Sequence, residues 1–222
     1  MKIRPLGQSG YIVKTASTEI IIDPYLSDSV NRIAGRPRLL PIPIQPKNIS
    51  CDAVICTHNH LDHLDPDTIS EINENQLFIT TNEGKEKLKD LGKLNVKALN
   101  IGETINIGDI ALTAVFADHT VEAFGIILKA EGKTLYFSGD TLYNEKLFEI
   151  SSYKPDFTFI CINGRLGNMN VNEALTVAKK IGAETNVTNH YDMFASNSEN
   201  PCLFADNIKG GLILDFDQEY VL

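Results

Sequence analysis

Little in this chain points to a membrane, an oxidising compartment or a nucleic acid. Among its 222 residues no run approaches the roughly 18 apolar residues that a membrane span needs. The opening Met-Lys-Ile-Arg-Pro-Leu-Gly has no apolar stretch of the signal-peptide type, so the expected location is cytoplasmic. Cysteine is sparse: Cys51, Cys56, Cys161 and Cys202 form no Cys-x-x-Cys pair. Three of them lie in apolar surroundings and read as small core residues in a reducing compartment. Positive charge is outnumbered, with 20 Lys and Arg against 29 Asp and Glu and a net charge of −9. That balance disfavours a nucleic-acid groove or an anionic membrane surface as partner. No Gly- or Ser-rich linker and no short-period repeat divides the chain, which is expected to form one domain over 1–222.

Histidine is scarce too, with five in all, yet three of the five fall in Thr57-His58-Asn59-His60-Leu61-Asp62-His63-Leu64-Asp65. Asp52 to Cys56, just before, reads as a buried strand. Asp65 and Pro66, just after, read as the N-cap and first position of a helix. The cluster therefore sits in a strand-to-helix turn, where side chains of different parity can converge. Burying His58, His60, Asp62 and His63 together without a cation would strip their water and leave too few partners. A divalent metal resolves that conflict, because it accepts imidazole nitrogens and carboxylate oxygens directly.

The two remaining histidines, His119 and His190, each follow a β-rich run, as does Ser138-Gly139-Asp140. Each can sit at a strand end beside the turn. Asp118 adjoins His119, so either side chain is open as the contributor there. Strands are expected at Ile3–Pro5, Tyr11–Thr15 and Glu19–Asp23. Asp23 is then placed to hydrogen-bond the turn that follows it. Residues 26–48 lose all periodicity and carry Arg32, Arg36 and Arg38, three of the chain's five arginines, which suggests an anion contact. Helices are expected at Pro66–Glu74, Asn82–Leu91, Val171–Ile181 and Pro201–Ile208. Further strands at Gln76–Thr80, Val96–Leu99, Glu103–Ile107 and Ile110–Ala117 lead to Phe124–Ala130, Thr134–Ser138, Phe157–Ile162, Glu184–Thr188, Leu212–Phe216 and Glu219–Leu222. Two mixed sheets packed face to face, with helices on both outer faces, would satisfy this order.

His-x-His-x-Asp-His followed in order by a His, a Gly-Asp and a His resembles the metallo-β-lactamase superfamily. The resemblance implies an α+β fold of four layers, an αββα sandwich. It also implies a metal-dependent hydrolase with two divalent ions, zinc or manganese. His58, His60 and His119 would hold the first ion and Asp62, His63 and His190 the second, with Asp140 bridging. Ions some 3.5–4 Å apart hold a hydroxide at neutral pH, which Asp62 would orient, making Asp62 and Asp140 the catalytic pair.

Leu64-Asp65-Pro66 after the motif, together with Asp23-Pro24, Asn163-Gly164-Arg165 and His190-Tyr191-Asp192, resembles the branch containing L-ascorbate-6-phosphate lactonase. That branch implies a small anionic substrate, a lactone or cyclic ester. Asn163 and Arg165, with Asn168, are candidate substrate contacts, Asn170 a helix cap, and Asp192 a candidate to orient an imidazole. Gln8 stands where many relatives carry His. A small phosphodiesterase acting on a cyclic nucleotide is the nearest alternative, and a diiron redox protein a more distant one. A homo-oligomer is compatible with the sequence.

Overall fold

Thirteen strands follow one another through the two sheets in chain order, and the fourteenth comes back to the first. The computed structural model describes all 222 residues. One sheet contains β1 (Lys2–Gly7), β2 (Gly10–Lys14), β3 (Glu19–Ile22), β4 (Ala53–Ile55), β5 (Phe78–Thr80) and β6 (Val96–Ala98). The other contains β7 (Thr104–Ile107), β8 (Ile110–Phe116), β9 (Phe124–Ala130), β10 (Lys133–Phe137), β11 (Phe157–Cys161), β12 (Thr185–Asn189) and β13 (Gly211–Leu212). The final strand, β14 (Tyr220–Val221), pairs with β1, so each sheet has seven strands. β1 to β3 are antiparallel neighbours and β3 to β6 parallel ones. The second sheet repeats this scheme, antiparallel from β7 to β10 and parallel from β10 to β13.

Alternation along the strands sorts the apolar side chains into layers. Ala53 and Ile55, Ile126 and Leu128, Phe159 and Val187 point between the sheets and belong to a core of 22 buried residues. At roughly 1.5–3 kcal/mol for each large side chain removed from water, this layer is the main source of stability. Val54 and Phe78 point the other way, against α2 (Pro66–Glu71) and α3 (Asn82–Asp90) through Ile69 and Leu88. Ile127, Tyr136 and Ile160 likewise meet Ala174 and Val177 of α4 (Val171–Ile181) and Phe204 of α5 (Cys202–Ala205). The order helix, sheet, sheet, helix is the expected αββα sandwich.

Several local features match their sequence signals. Asp65 caps α2 by accepting from the Asp67 amide, with Pro66 at the first position. Asn170 and Glu173 form a capping box on α4. Glu131 and Gly132 both take positive φ, 49° and 74°, to join β9 and β10 by a two-residue turn.

Other expectations are corrected. Residues 26–48 are not patternless: they hold α1 (Ser29–Ala34) and a 3-10 turn at Pro46–Asn48. Helix α2 stops at Glu71, because Ile72 turns extended and packs down onto Val54 and Phe78. Glu145–Tyr153, which carries no simple period, is a 3-10 helix packed on the second sheet. The expected strand at Leu212–Phe216 shrinks to β13, since only Asn186 and Val187 of β12 offer it partners.

The topology also decides where chemistry can gather. β1, β3 and β4 run in one direction, and so do β8, β10, β11 and β12. Their carboxyl ends come together along one edge of the sandwich, where His58 makes a β-bridge to Ala123 and the Phe124 amide donates to the Thr57 carbonyl.

Candidate metal centre

Six of the strands that end on this edge are followed by a polar side chain of the site. β1 is followed by Gln8, β3 by Asp23, β4 by the histidine turn, β8 by His119, β10 by Asp140 and β12 by His190. Seven side chains therefore converge in three overlapping groups: His58, His60 and His119; His58, His63 and Asp140; Asp62, His63 and His190.

In the first group the His60 Nδ1 atom lies 3.0 Å from His58 Nε2 and 3.2 Å from His119 Nε2. The three rings meet nearly edge to face, at 72–80°. In the second half His63 Nε2 lies 3.2 Å from Asp140 Oδ1, and His190 Nε2 lies 3.2 Å from Asp140 Oδ2 and 3.6 Å from Asp62 Oδ2.

Three of the five rings, His63, His58 and His119, are held by a second partner on the far side. The buried Asp23 accepts from His63 Nδ1 at 2.8 Å and from the Thr57 amide and hydroxyl, both at 2.7 Å. Its hydrogen bonds thus reach across to the histidine turn, not to the turn after β3 as the sequence suggested. Thr57 Oγ1 lies 3.1 Å from His58 Nδ1, and the His119 Nδ1 atom donates to the Gly167 carbonyl at 3.0 Å. Gly167 (φ 92°) has to be glycine, because a Cβ there would meet the His119 ring at 2.8 Å. Lys87, on α3, donates to the Asn59 carbonyl and fixes the middle of the turn.

Electrostatics divide the site in two. Burial, aided by repulsion from neighbouring rings, lowers the pKa of His58, His60 and His119, so all three are poised as neutral ligands. Burial also opposes charge on His63 and His190, but the carboxylates of Asp140 and Asp62 outweigh it, joined at His63 by Asp23. His63 rises well above the usual histidine range and His190 rises to about 9. Burial pushes Asp62 and Asp140 upward, and the two facing imidazoles overcome it and pull both below the usual carboxylate range.

These residues fit metal ions by a direct observation. His63 Nε2 and Asp140 Oδ1 are buried without a hydrogen-bond partner although they lie only 3.2 Å apart. Both belong to the group of His58, His63 and Asp140, and a cation held there would satisfy both.

The remaining sequence candidates divide clearly. Asp118 turns away and accepts from the Asn144 amide at 2.9 Å, which leaves His119 as the residue facing the cluster. Asn168 donates to Asp140 Oδ2 at 2.9 Å and so supports a carboxylate instead of touching substrate. Asn163 and Arg165 are not brought to the site: the Asn163 amide bonds the Arg165 carbonyl and Asn197 Oδ1, and the Arg165 guanidinium donates to the Ser196 carbonyl. The Asn163 side chain is consumed by the turn that carries Gly167. Asp192 orients no imidazole, since it takes the Ser198 hydroxyl.

Two contributors had no role assigned from the sequence. Gln8, in the left-handed region (φ 54°), donates from Nε2 to Asp62 Oδ2 at 2.6 Å and lies 3.0 Å from His190 Nε2. Its signals were the Gly7-Gln8-Ser9-Gly10 turn and its standing where many relatives carry His. Gly167 was visible only as one of two glycines before α4.

Above the cluster opens a cleft of about 460 Å³, floored by His60, Asp62, Asp140 and His190 and walled by Val30, Ala34, Leu61, Leu166 and Phe194. This size suits a small organic molecule.

Fold and site together define a metallo-hydrolase of the metallo-β-lactamase type. The chain belongs to that superfamily: the Beta-lactamase superfamily domain matches residues 18–191. Over 99% of its own length and 99% of the relative's it is 26% identical to a UPF0173 metal-dependent hydrolase of Oenococcus oeni. Two solved structures share the fold. The metallo hydrolase Igni18 of Ignicoccus hospitalis superposes with TM-score 0.81 at 22% identity, over 99% of this chain and 97% of that one. An isothiocyanate hydrolase from Delia radicum gut bacteria gives TM-score 0.84 at 19% identity, over 100% and 99%. No helix is long and apolar enough to cross a membrane.

Proposed function

We propose that the chain is a metal-dependent hydrolase that opens a small, anionic lactone or cyclic ester. The observation that carries this reading is the pair of converging clusters at the cleft floor, with His63 Nε2 and Asp140 Oδ1 buried and unpartnered between them. His58, His60 and His119 would hold one divalent ion and Asp62, His63 and His190 another, with Asp140 serving both; zinc and manganese suit this mix of imidazole and carboxylate. Ions held there supply Lewis acidity, ionising water near neutral pH and polarising an ester carbonyl.

The protein's own groups do the rest. Asp62 is placed to hold a proton at Oδ2 and return it to the departing alkoxide, and the Gln8 amide fixes the direction of that carboxylate. Asn168 and the His190 ring keep Asp140 in register. The apolar walls limit water around the scissile bond. Four unpaired thiols agree with a reducing, cytoplasmic setting.

The test is turnover by metal-stripped protein reloaded with zinc or manganese. A sugar-phosphate lactone and other lactones are offered beside a chromogenic phosphodiester. Lactone opening is expected. Cleavage of the diester alone would make the protein a small phosphodiesterase, and turnover of neither would sink the hydrolase reading.

A further inference from the structure

Residues 26–48 carry three arginines that the structure treats differently. Arg32 lies in the open, its Nη2 atom 2.6 and 2.7 Å from the two carboxylate oxygens of Asp67. Arg38 is engaged with its own backbone: it donates to the carbonyls of Ser27, Leu40 and Pro41 and stacks 5.0 Å above the Tyr25 ring. Arg36 has neither an ion pair nor a hydrogen bond, and it lines the cleft over the candidate metal centre. It is held there by the chain around it. Helix α1 ends at Gly35 in the left-handed region (φ 66°), whose amide donates to the Asn31 carbonyl, so the next residue turns back toward the cleft. Two residues later Arg38 bridges to Phe194, and the Leu39 amide donates to the Met193 carbonyl at 2.8 Å. An unpaired guanidinium between two pinned segments, in a chain of net charge −9, is a built contact for an anion.

The cleft beside it does not resemble a sugar site. Val30 and Ala34, one turn apart on α1, face Leu61, Leu166 and Phe194, while Thr120 and Asn197 are the uncharged polar side chains on its wall. Leu166 is held over the opening at a positive φ of 53°, a conformation that a leucine adopts only under constraint, and it is 56% exposed. Few groups there could replace the water around a polyhydroxy substrate.

We infer that Arg36 is the anion-recognising residue of this cleft, and that the substrate joins one carboxylate-like anionic group to an apolar body. This rests on the hydrolase reading above and narrows its small anionic substrate to an amphipathic acid.

The experiment compares binding of 4-phenylbutyrate and 4-phenylbutyramide, which share a body and differ in charge, to the metal-loaded full chain by calorimetry. Wild type should prefer the carboxylate by about tenfold, the scale of one charge-assisted contact at a partly exposed site. In Arg36→Ala the preference should fall to near unity, and Arg36→Lys should keep part of it. A preference that survives in Arg36→Ala would mean that the anion goes to the metal ions, and the inference fails. It fails equally if wild type binds neither compound. Ester turnover is assayed separately: a loaded wild type that hydrolyses no ester defeats the functional reading, while the binding ratio still decides the role of Arg36.

Discussion

Asp62 and Asp23 are two buried-edge carboxylates with different duties, and substitution should separate them. Asp62 faces the cleft and accepts from Gln8, so Asp62→Ala should cut kcat by about a thousandfold while thermal unfolding stays within a few degrees of wild type. Unchanged turnover would refute its assigned role. Asp23 never reaches the cleft. It holds the far nitrogen of His63 and the start of the histidine turn, so Asp23→Asn should weaken metal affinity by about 10–100-fold in a chelator competition. Affinity equal to wild type would show that the imidazole needs no such support.

At the scale of elements, the loop between β11 and α4 is as much a part of the centre as the histidine turn. Gly167→Ala adds a Cβ 2.8 Å from His119 and forces an L-residue to φ 92°. The ring must shift, and we expect a loss of about 1–3 kcal/mol in stability together with weaker metal binding. Normal metal uptake by this variant would show that the loop can relax.

The same loop marks what sequence can carry. Strand-end histidines and Asp140 could be read because each follows a β-rich run, and Asp65-Pro66 and Asn170 announced their helices by local chemistry. The side chains of Arg165 and Asn163 are drawn to partners, Ser196 and Asn197, from a segment some thirty residues on. No local pattern reports such a contact. Gln8 was hidden for the same reason, its partner Asp62 lying 54 positions away. Helix α1 was missed because it is six residues long and flanked by prolines, too short for a period to show.

For the whole molecule, the metal-free centre acts as a charge store whose sign can be followed with pH. His63 and His190 have raised folded-state values, so their contribution to stability is complete below about 6.5 and is lost as pH rises through about 9, the value reached by His190. Asp62 and Asp140 are depressed, so theirs is present above about 3.8 and fades only in stronger acid. His58, His60 and His119 have lowered values, so their share is present above about 6.5 and is lost as pH falls below it; metal-stripped protein should therefore be most heat-stable near about pH 6.5. Added zinc must displace the imidazole protons, so the rise in Tm that it produces should grow from pH 6 to pH 9. A zinc effect independent of pH would mean that those rings are already neutral.

The two sheets contribute unequally to this edge: the first half of the chain brings His58, His60, Asp62 and His63, and the second brings His119, Asp140 and His190. At the opposite edge the sheets are tied only by their shared apolar layer and by surface contacts such as the N-terminal amine with Glu131. The ions would then work as a clasp on one side of a book whose spine is hydrophobic. Opened by a chelator, the book should part first at Thr57, Ser138 and Asn189, with amide exchange quickening there before it reaches Ile126 or Phe159.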